Sequence, residues 1–66
     1  MVAKVHRYSS GDKVKYVGVA TAYYNKVGQV LGYRTIDGLT EDMCAIIIPG
    51  FRDHFLVVDS DLEPAL

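Results

Sequence analysis

The run Asn25–Thr35 constrains the fold more than any other part of the chain. It is rich in β-forming residues but carries two glycines, Gly28 and Gly32, only four positions apart. Glycine weakens a flat strand, yet it permits sharp bending and close approach of another backbone. We therefore predict a bent central strand that serves both halves of a small closed β-sheet, that is, a β-barrel.

Two shorter segments predict strands before and after this central strand. Lys13–Val17 alternates polar and apolar residues, which predicts a half-buried strand with Val14 and Tyr16 inward and both lysines outward. In Met43–Ile48, three consecutive isoleucines closed by a proline favour another strand, because β-branched residues are stiff and proline cannot donate to a ladder. A helix that begins at Thr40 is the alternative for this segment.

The C-terminal third predicts the last two strands with a short turn between them. His54–Val58 is predicted as a strand, and Asp59–Leu62 as a single 3₁₀ turn in which the Asp59 carboxylate accepts hydrogen bonds from the backbone amides that follow. Glu63–Leu66 can add a short edge strand, where proline is tolerated. The predicted fold is all-β: a small five-stranded barrel with a short 3₁₀ turn before the last strand.

The barrel is predicted to begin after a turn-forming cluster at Ser9–Asp12. Residues 1–10 are predicted to be a flexible N-terminal arm, and residues 11–66 the barrel. The chain has 66 residues, which is enough for one domain. A chain of this size buries only about 60% of the surface that its unfolded form exposes, so we expect modest stability.

Metal-binding, disulfide and membrane signals are weak. A single cysteine cannot form an internal disulfide, and Cys44 with His6 and His54 has no recognisable zinc spacing. The N-terminus lacks the apolar stretch of a signal peptide, and no apolar run approaches membrane-spanning length. We expect no metal, no cofactor, no membrane insertion and a cytoplasmic location.

Charge is distributed unevenly along the chain although the net charge is only −1. Residues 1–36 carry six basic groups and one acidic group, whereas residues 37–66 carry seven acidic groups and one basic group. Two arrangements follow from this pattern. The folded surface is bipolar, or the strands interleave and mix the two signs.

The segment Gly18–Lys26 is unusually aromatic for a loop. Tyrosine combines a rigid apolar ring with a polar tip, which suits it to interfaces, so adjacent Tyr23 and Tyr24 are candidates for partner binding. The alternative is that one ring plugs the end of the barrel while the other covers it.

Two apolar runs indicate a further contact surface. In Ile46–Ile48 and Phe55–Val58, successive apolar side chains must point to both faces of the sheet, whereas a lone small barrel buries only its interior face. The outer face is therefore expected to dock on a larger partner or on a second copy. The alternative is that the N-terminal arm folds back over these strands.

The predicted partner-binding residues combine the loop aromatics with cations for orientation. They are Tyr23, Tyr24, Lys26, Arg34, Phe51 and Arg52. No catalytic residues are predicted, since Cys44 lies in an apolar run that disfavours a thiolate. His54 beside Asp53 could be an oriented base, but no nucleophile has a recognisable context.

The order of these elements resembles that of SH3-like barrels over roughly residues 11–65. The resemblance is carried by Gly-Asp-Lys-Val-Lys at 11–15, Val-Gly-Gln-Val at 27–30 and the ending Val-Val-Asp-Ser-Asp-Leu-Glu at 57–63. It implies an SH3-like fold for residues 11–66.

Within that class, the chain resembles small soluble subunits of photosynthetic electron-transfer complexes. These are the ferredoxin-docking subunit of photosystem I, the corresponding subunit of the NDH-type complex and the variable chain of ferredoxin–thioredoxin reductase. An aromatic pair precedes a Gly-x-Val strand in those families, as Tyr23-Tyr24 precedes Val27–Val30, and Asp-His-Phe at 53–55 and Ser-Asp-Leu-Glu at 60–63 are similar in kind. The chain lacks the Asn-rich segment of the photosystem subunit. The resemblance implies a non-catalytic docking subunit.

Two other groups offer alternatives. Gly-Asp-Lys-Val at 11–14 and Gly-Gln-Val at 28–30 are similar to KOW-type domains, which implies phosphate contacts by basic residues and base stacking by Tyr23 or Tyr24. The basic residues would be Lys13, Lys15, Lys26 and Arg34. More remotely, Gly28–Tyr33 resembles a strand of the plasmid-type dihydrofolate reductase, but His54–Val58 lacks the glutamine and tyrosine of that family's active-site segment.

Overall fold

The computed structural model describes residues 6–65 and contains five β-strands. They are β1 (Lys13–Tyr16), β2 (Val27–Arg34), β3 (Met43–Ile47), β4 (Phe55–Val57) and β5 (Leu62–Pro64), with a 3₁₀ turn at Asp59–Asp61 before β5. All neighbouring strands are antiparallel, and they form one sheet of order β4-β3-β2-β1-β5. The all-β class, the five strands and the 3₁₀ turn are confirmed, and the segment after Thr40 forms a strand, not the alternative helix.

Strand β2 occupies the centre of the sheet, as its two glycines predicted. Its first residues, Val27–Gln29, pair with β1, and its remainder, from Gln29 to Arg34, pairs with β3. The strand is therefore shared between the two halves of the sheet. The edge strands are β4 and β5, which are not paired with each other.

A β-bulge interrupts β2 between Val30 and Gly32 and leaves Leu31 unpaired. Gly32 has a φ of 154°, a conformation that side-chain-bearing residues rarely adopt. Val30 faces the core and pairs with Ile46, so regular alternation would place Tyr33 on the opposite face. The extra residue shifts the alternation of side chains by one position. Tyr33 therefore lies opposite the buried Cys44, on the core side.

Gly28 allows the end of β3 to pass close to β2. A Cβ atom built on this buried residue would lie 2.6 Å from the carbonyl oxygen of Ile47 and 2.9 Å from Cγ1 of Ile48. The nearer atom belongs to the backbone and cannot rotate away. A larger residue at position 28 would therefore separate the two strands.

The core lies on one face of the sheet and receives side chains from all five strands. Its buried members are Val14, Tyr16, Val30, Cys44, Ile46, Ile48, Val57 and Leu62. The inward orientation predicted for Val14 and Tyr16 is confirmed. None of the fully buried residues in the described part of the chain is polar or charged.

Four rings, which we call the aromatic cluster, cover one end of this core: Tyr16, Tyr23, Phe51 and Phe55. The Tyr23 ring stacks on Phe55 at a centroid distance of 4.1 Å and lies 5.0 Å from Phe51. Tyr16 meets Tyr23 and Phe55 edge-on, at 6.2 and 6.4 Å. Because β1 and β4 are not neighbours in the sheet, the cluster connects two strands that no ladder joins.

Residues just before β1 hydrogen-bond to the opposite end of the chain. The backbone amide of Arg7 donates to Oδ2 of Asp59 at 3.1 Å, and the Tyr8 hydroxyl donates to the carbonyl oxygen of Leu62 at 3.2 Å. The prediction that Asp59 caps the amides after it was wrong, because its carboxylate accepts from Arg7 and from the Tyr33 hydroxyl instead. Residues 1–5 of the predicted arm lie outside the described residues, so the arm and its boundary stay predictions.

Between residues 6 and 65 there is no helix with the length and apolar character needed to cross a membrane.

Candidate docking surface

The face of the sheet opposite the core carries exposed apolar side chains, and we call it the outer face. Val27 of β2 is 47% exposed, and Leu31, the unpaired residue of the bulge, is 45% exposed. Ile47 of β3 is partly exposed on the same face, where it pairs with Gln29. The isoleucine run thus divides as predicted, with Ile47 outside and its two neighbours in the core.

A cavity of about 490 Å³, which we call the β2–β3 groove, lies where β2 begins and β3 ends. It is lined by Val27–Gln29, Ile47–Pro49, Phe51 and Lys13. Gly28, which allows the close approach of the two backbones, is itself part of this lining. Its walls are mainly apolar and combine Val27 and Ile47 of the outer face with Ile48 and Phe51, which pack in or against the core.

The two adjacent tyrosines of the long loop have different environments. Tyr23 packs within the aromatic cluster, whereas Tyr24 is 55% exposed. The loop is closed at its base by hydrogen bonds from Asn25 N to Tyr16 O at 2.8 Å and from Tyr16 N to Lys26 O at 3.0 Å. Asn25 has a φ of 66°, which asparagine tolerates better than most residues. Tyr23 therefore occupies the end of the core, and Tyr24 is the ring presented to solvent.

The cations predicted for the site do not all lie together. Lys26 directly precedes Val27, and Arg52 directly follows Phe51, so both are near the β2–β3 groove. Arg34 ends β2, seven residues beyond Val27, and at about 3.3 Å per residue this corresponds to roughly 23 Å of strand. Arg34 thus lies at the opposite end of β2 from Lys26, whereas the rings of two other predicted site residues, Tyr23 and Phe51, are 5.0 Å apart.

Three residues of this surface are not among the predicted partner-binding residues: Lys13, which only the KOW-type alternative names as a phosphate contact, Val27 and Leu31. Lys13 was predicted to point outward, but nothing in the sequence places it beside the end of β3. The alternation at Val27–Val30 does put Val27 and Gln29 on one face, so this part of the signal was available. The exposure of Leu31 follows from the bulge, which the sequence does not locate.

Basic and acidic segments are interleaved in the sheet. Strands β1 and β2 come from the basic half of the chain, and strands from the acidic half flank them on both sides. Lys15 Nζ lies 3.3 Å from Oε1 of Glu63 on the neighbouring strand β5. Such exposed ion pairs contribute about 0–1 kcal/mol to stability, so this contact fixes the positions of the two charged groups more than it stabilises the fold.

A separate group of polar side chains, which we call the polar cluster, lies beside the core. The Tyr33 hydroxyl donates to Asp59 Oδ1 at 2.7 Å and accepts from the Tyr8 amide at 3.2 Å. The His6 ring stacks on Tyr33 at 3.8 Å, and its Nε2 lies 2.8 Å from Oδ2 of Asp42. Burial, and secondarily the hydrogen bond to Asp59, raises the pKa of Tyr33 well above its ordinary value. The cluster therefore connects residues 6–8 to the sheet.

The chemistry available to the reactive side chains of the described residues is limited. Cys44 is fully buried, and desolvation raises the pKa of its thiol, which disfavours the nucleophilic thiolate. His54 is exposed and has no hydrogen bond with Asp53. Over residues 6–65, no three His, Cys, Asp or Glu side chains are grouped so that they could hold a metal ion.

Comparison of the chain with known protein families, with curated proteins and with solved structures found no match in any of the three. The resemblances to SH3-like subunits, KOW-type domains and the plasmid-type reductase therefore stay predictions, and the function is argued from the surface alone.

Proposed function

We propose that this chain is a small SH3-like barrel that acts as a non-enzymatic interaction module, docking on a larger protein or self-associating through its outer face. The observation that carries this proposal is the apolar exposure of Val27 and Leu31 beside Ile47 and the β2–β3 groove. Contiguous exposed apolar side chains next to a concave site are typical of interaction surfaces. Tyr24 adds an exposed ring near the start of β2.

Two features of the sheet support the barrel part of this proposal. A central strand shared by two halves and bent by a bulge is the usual means by which a short sheet curls. The aromatic cluster also connects β1 to β4, although these two strands are not neighbours in the sheet.

The expected contribution of the outer face to binding follows from its exposure. Full burial of a Val or Leu side chain stabilises by about 1.5–3 kcal/mol. Val27 and Leu31 are each about half exposed in the isolated chain, so a partner that covers both gains about 1.5–3 kcal/mol. This corresponds to roughly 10- to 150-fold in affinity.

The experiment compares two substitutions that add the same charge at similar exposure. Leu31→Asp places a carboxylate on the outer face, whereas Leu39→Asp places one in the loop between β2 and β3, where Leu39 is 49% exposed. Tagged chains are used to capture partners from the native cell extract, and sedimentation velocity measures self-association. We expect Leu31→Asp to lose at least about tenfold in partner capture or self-association, and Leu39→Asp to retain both.

If Leu31→Asp and Leu39→Asp retained capture and self-association to the same extent, the outer face would not be the docking site. Tyr24→Ala is the corresponding test of the aromatic loop, since it removes an exposed ring without touching the core. Tyr23→Ala is unsuitable for this purpose because it breaks the stacking with Phe55. Binding to single-stranded DNA that weakens steeply with salt, together with no protein capture, would favour the KOW-like alternative instead.

A further inference from the structure

The β2–β3 groove differs in chemistry from the rest of the outer face. Its walls are apolar, and among residues 6–65 only Lys13 and Gln29 bring polar side chains to it. The Gln29 amide is engaged, since its Nε2 donates to the carbonyl oxygen of Gly11 at 3.2 Å. Lys13 is exposed and forms no ion pair with any described residue. The groove therefore combines apolar walls with one uncompensated positive charge.

The surroundings of the groove add further positive charge. Lys26 and Arg52 directly adjoin the lining residues Val27 and Phe51, and both are exposed. None of the acidic side chains in the described part of the chain lines the groove. Two acidic residues adjoin these cations in the chain, Asp12 next to Lys13 and Asp53 next to Arg52, but both are exposed and neither lines the groove. The Asp12 carboxylate accepts a hydrogen bond from the Ser9 amide at 2.9 Å. A ligand complementary to this site is apolar in the middle and negatively charged at its flanks.

We propose that the β2–β3 groove binds a peptide segment of a partner protein in which a large aliphatic or aromatic residue is flanked by Asp or Glu. The apolar side chain packs against Val27, Ile47 and Phe51, and a flanking carboxylate pairs with Lys13. The volume of about 490 Å³ is within the range of about 300–1,000 Å³ that is typical of ligand pockets. This inference rests on the proposed docking function and names the chemistry of the partner.

Symmetry argues against a second copy as the occupant. In a two-fold dimer formed through this groove, each surface patch meets the same patch of the partner copy. Lys13, Lys26 and Arg52 would then approach the same three cations of the second copy, and no carboxylate of the described residues lines the groove to separate them. Like charges placed together across an interface are strongly disfavoured. A different protein with acidic residues at the contact avoids this repulsion.

The test is an NMR titration of the full ¹⁵N-labelled chain with three blocked pentapeptides. The probes are acetyl-Asp-Asp-Leu-Asp-Asp-amide, acetyl-Lys-Lys-Leu-Lys-Lys-amide and acetyl-Asp-Asp-Ser-Asp-Asp-amide, and the reporters are the amide signals of Gly28, Ile47 and Ile48. We expect saturable shifts with the acidic leucine peptide alone, because only this probe satisfies both the apolar walls and Lys13.

A matched pair of charge reversals locates the carboxylate contact. Lys13→Glu should weaken binding of the acidic leucine peptide about fivefold, as expected for reversal of an exposed charge. Lys15→Glu leaves the lining of the groove intact, because Lys15 is not part of that lining and lies beside Glu63. We expect this control to retain the affinity of the unmodified chain within about twofold.

Several results would overturn the inference. They are the absence of saturable shifts with the acidic leucine peptide, equal shifts with the lysine peptide, and equal losses in the two charge reversals. Shifts of the same signals that depend on protein concentration without peptide would assign the groove to a second copy, and shifts with oligo-dT alone would assign it to nucleic acid. If capture still depends on Leu31 while the titration fails, the docking function stands and this inference falls.

Discussion

Tyr33→Phe is the substitution that tests most directly how this small sheet is held together. The Tyr33 hydroxyl donates to Asp59 Oδ1 at 2.7 Å and accepts from the Tyr8 amide at 3.2 Å, so it joins three separate parts of the chain. Phenylalanine keeps the ring, and with it the stacking on His6, but it removes both hydrogen bonds. The loss of stability in this variant therefore measures the contribution of the hydroxyl alone.

The expected loss of stability follows from the two hydrogen bonds that Tyr33→Phe removes. A neutral hydrogen bond contributes about 0.5–1.5 kcal/mol and one to a charged group about 1.5–3 kcal/mol. Because Tyr33 is only partly buried, water replaces part of this loss, and we expect a decrease of about 1–3 kcal/mol in the free energy of unfolding. A chain of this length is expected to have about 3–10 kcal/mol in total. The melting temperature should fall by about 4–8 °C for each kcal/mol lost.

Urea denaturation followed by circular dichroism measures the change, with Tyr24→Phe as the matched control. Tyr24 is 55% exposed, and its hydroxyl has no hydrogen bond to any described residue. We expect this control to stay within about 0.5 kcal/mol of the unmodified chain. If Tyr33→Phe changed stability no more than Tyr24→Phe, the hydroxyl would have no role in holding residues 6–8 to the sheet.

The same hydroxyl gives the stability of the chain an alkaline dependence. In the unfolded chain Tyr33 deprotonates near pH 10, whereas burial and hydrogen bonding raise its pKa in the folded chain. Above about pH 10 the unfolded state loses the proton first, so the folded state binds more protons and stability falls as the pH rises. This contribution is fully present below about pH 10 and has a slope of at most about 1.4 kcal/mol per pH unit. Tyr33→Phe should make the decline shallower.

Two further predictions concern the sheet interior. Gly28→Ala should destabilise by about 1–3 kcal/mol, as overpacking does, because its Cβ would lie 2.6 Å from the Ile47 carbonyl oxygen; an unchanged melting temperature would show that the strands can separate at little cost. Cys44 is fully buried with a raised pKa, so its reaction with Ellman's reagent in native buffer should be far slower than in urea. Equally fast labelling in both conditions would contradict the observed burial.

The sequence predicted those parts of the fold that depend on local pattern. The polar–apolar alternation at Lys13–Val17 identified a strand and the side chains that face the core, and the isoleucine run at Ile46–Ile48 identified a second strand with side chains on both faces. The glycine pair identified β2 as the central strand. These signals work because side-chain direction in a strand alternates with a period of two and because glycine has few other uses inside a strand.

The features that the sequence left undetermined depend on pairing between distant residues. Asp59 was predicted to cap its own turn, since a carboxylate at a turn commonly does so. Its actual partners, Arg7 and Tyr33, are 52 and 26 residues away in the chain. The separation of Arg34 from the groove likewise depends on where β2 begins and ends in the sheet. Local pattern contains no information about such contacts.

The bulge in β2 connects the stability of the chain with its proposed docking surface. One extra residue in the strand has two consequences: it turns Tyr33 to the core side, where the hydroxyl reaches Asp59, and it leaves Leu31 unpaired and exposed. A regular strand would put Tyr33 on the outer face and so remove the hydrogen bonds that hold residues 6–8. The same backbone irregularity thus allows the hydrogen bond between Tyr33 and Asp59 and exposes Leu31, one of the apolar residues of the outer face. Because bulges are defined by backbone pairing, substitutions at Leu31 can change the docking face while the register of Tyr33, and with it the fold, is retained.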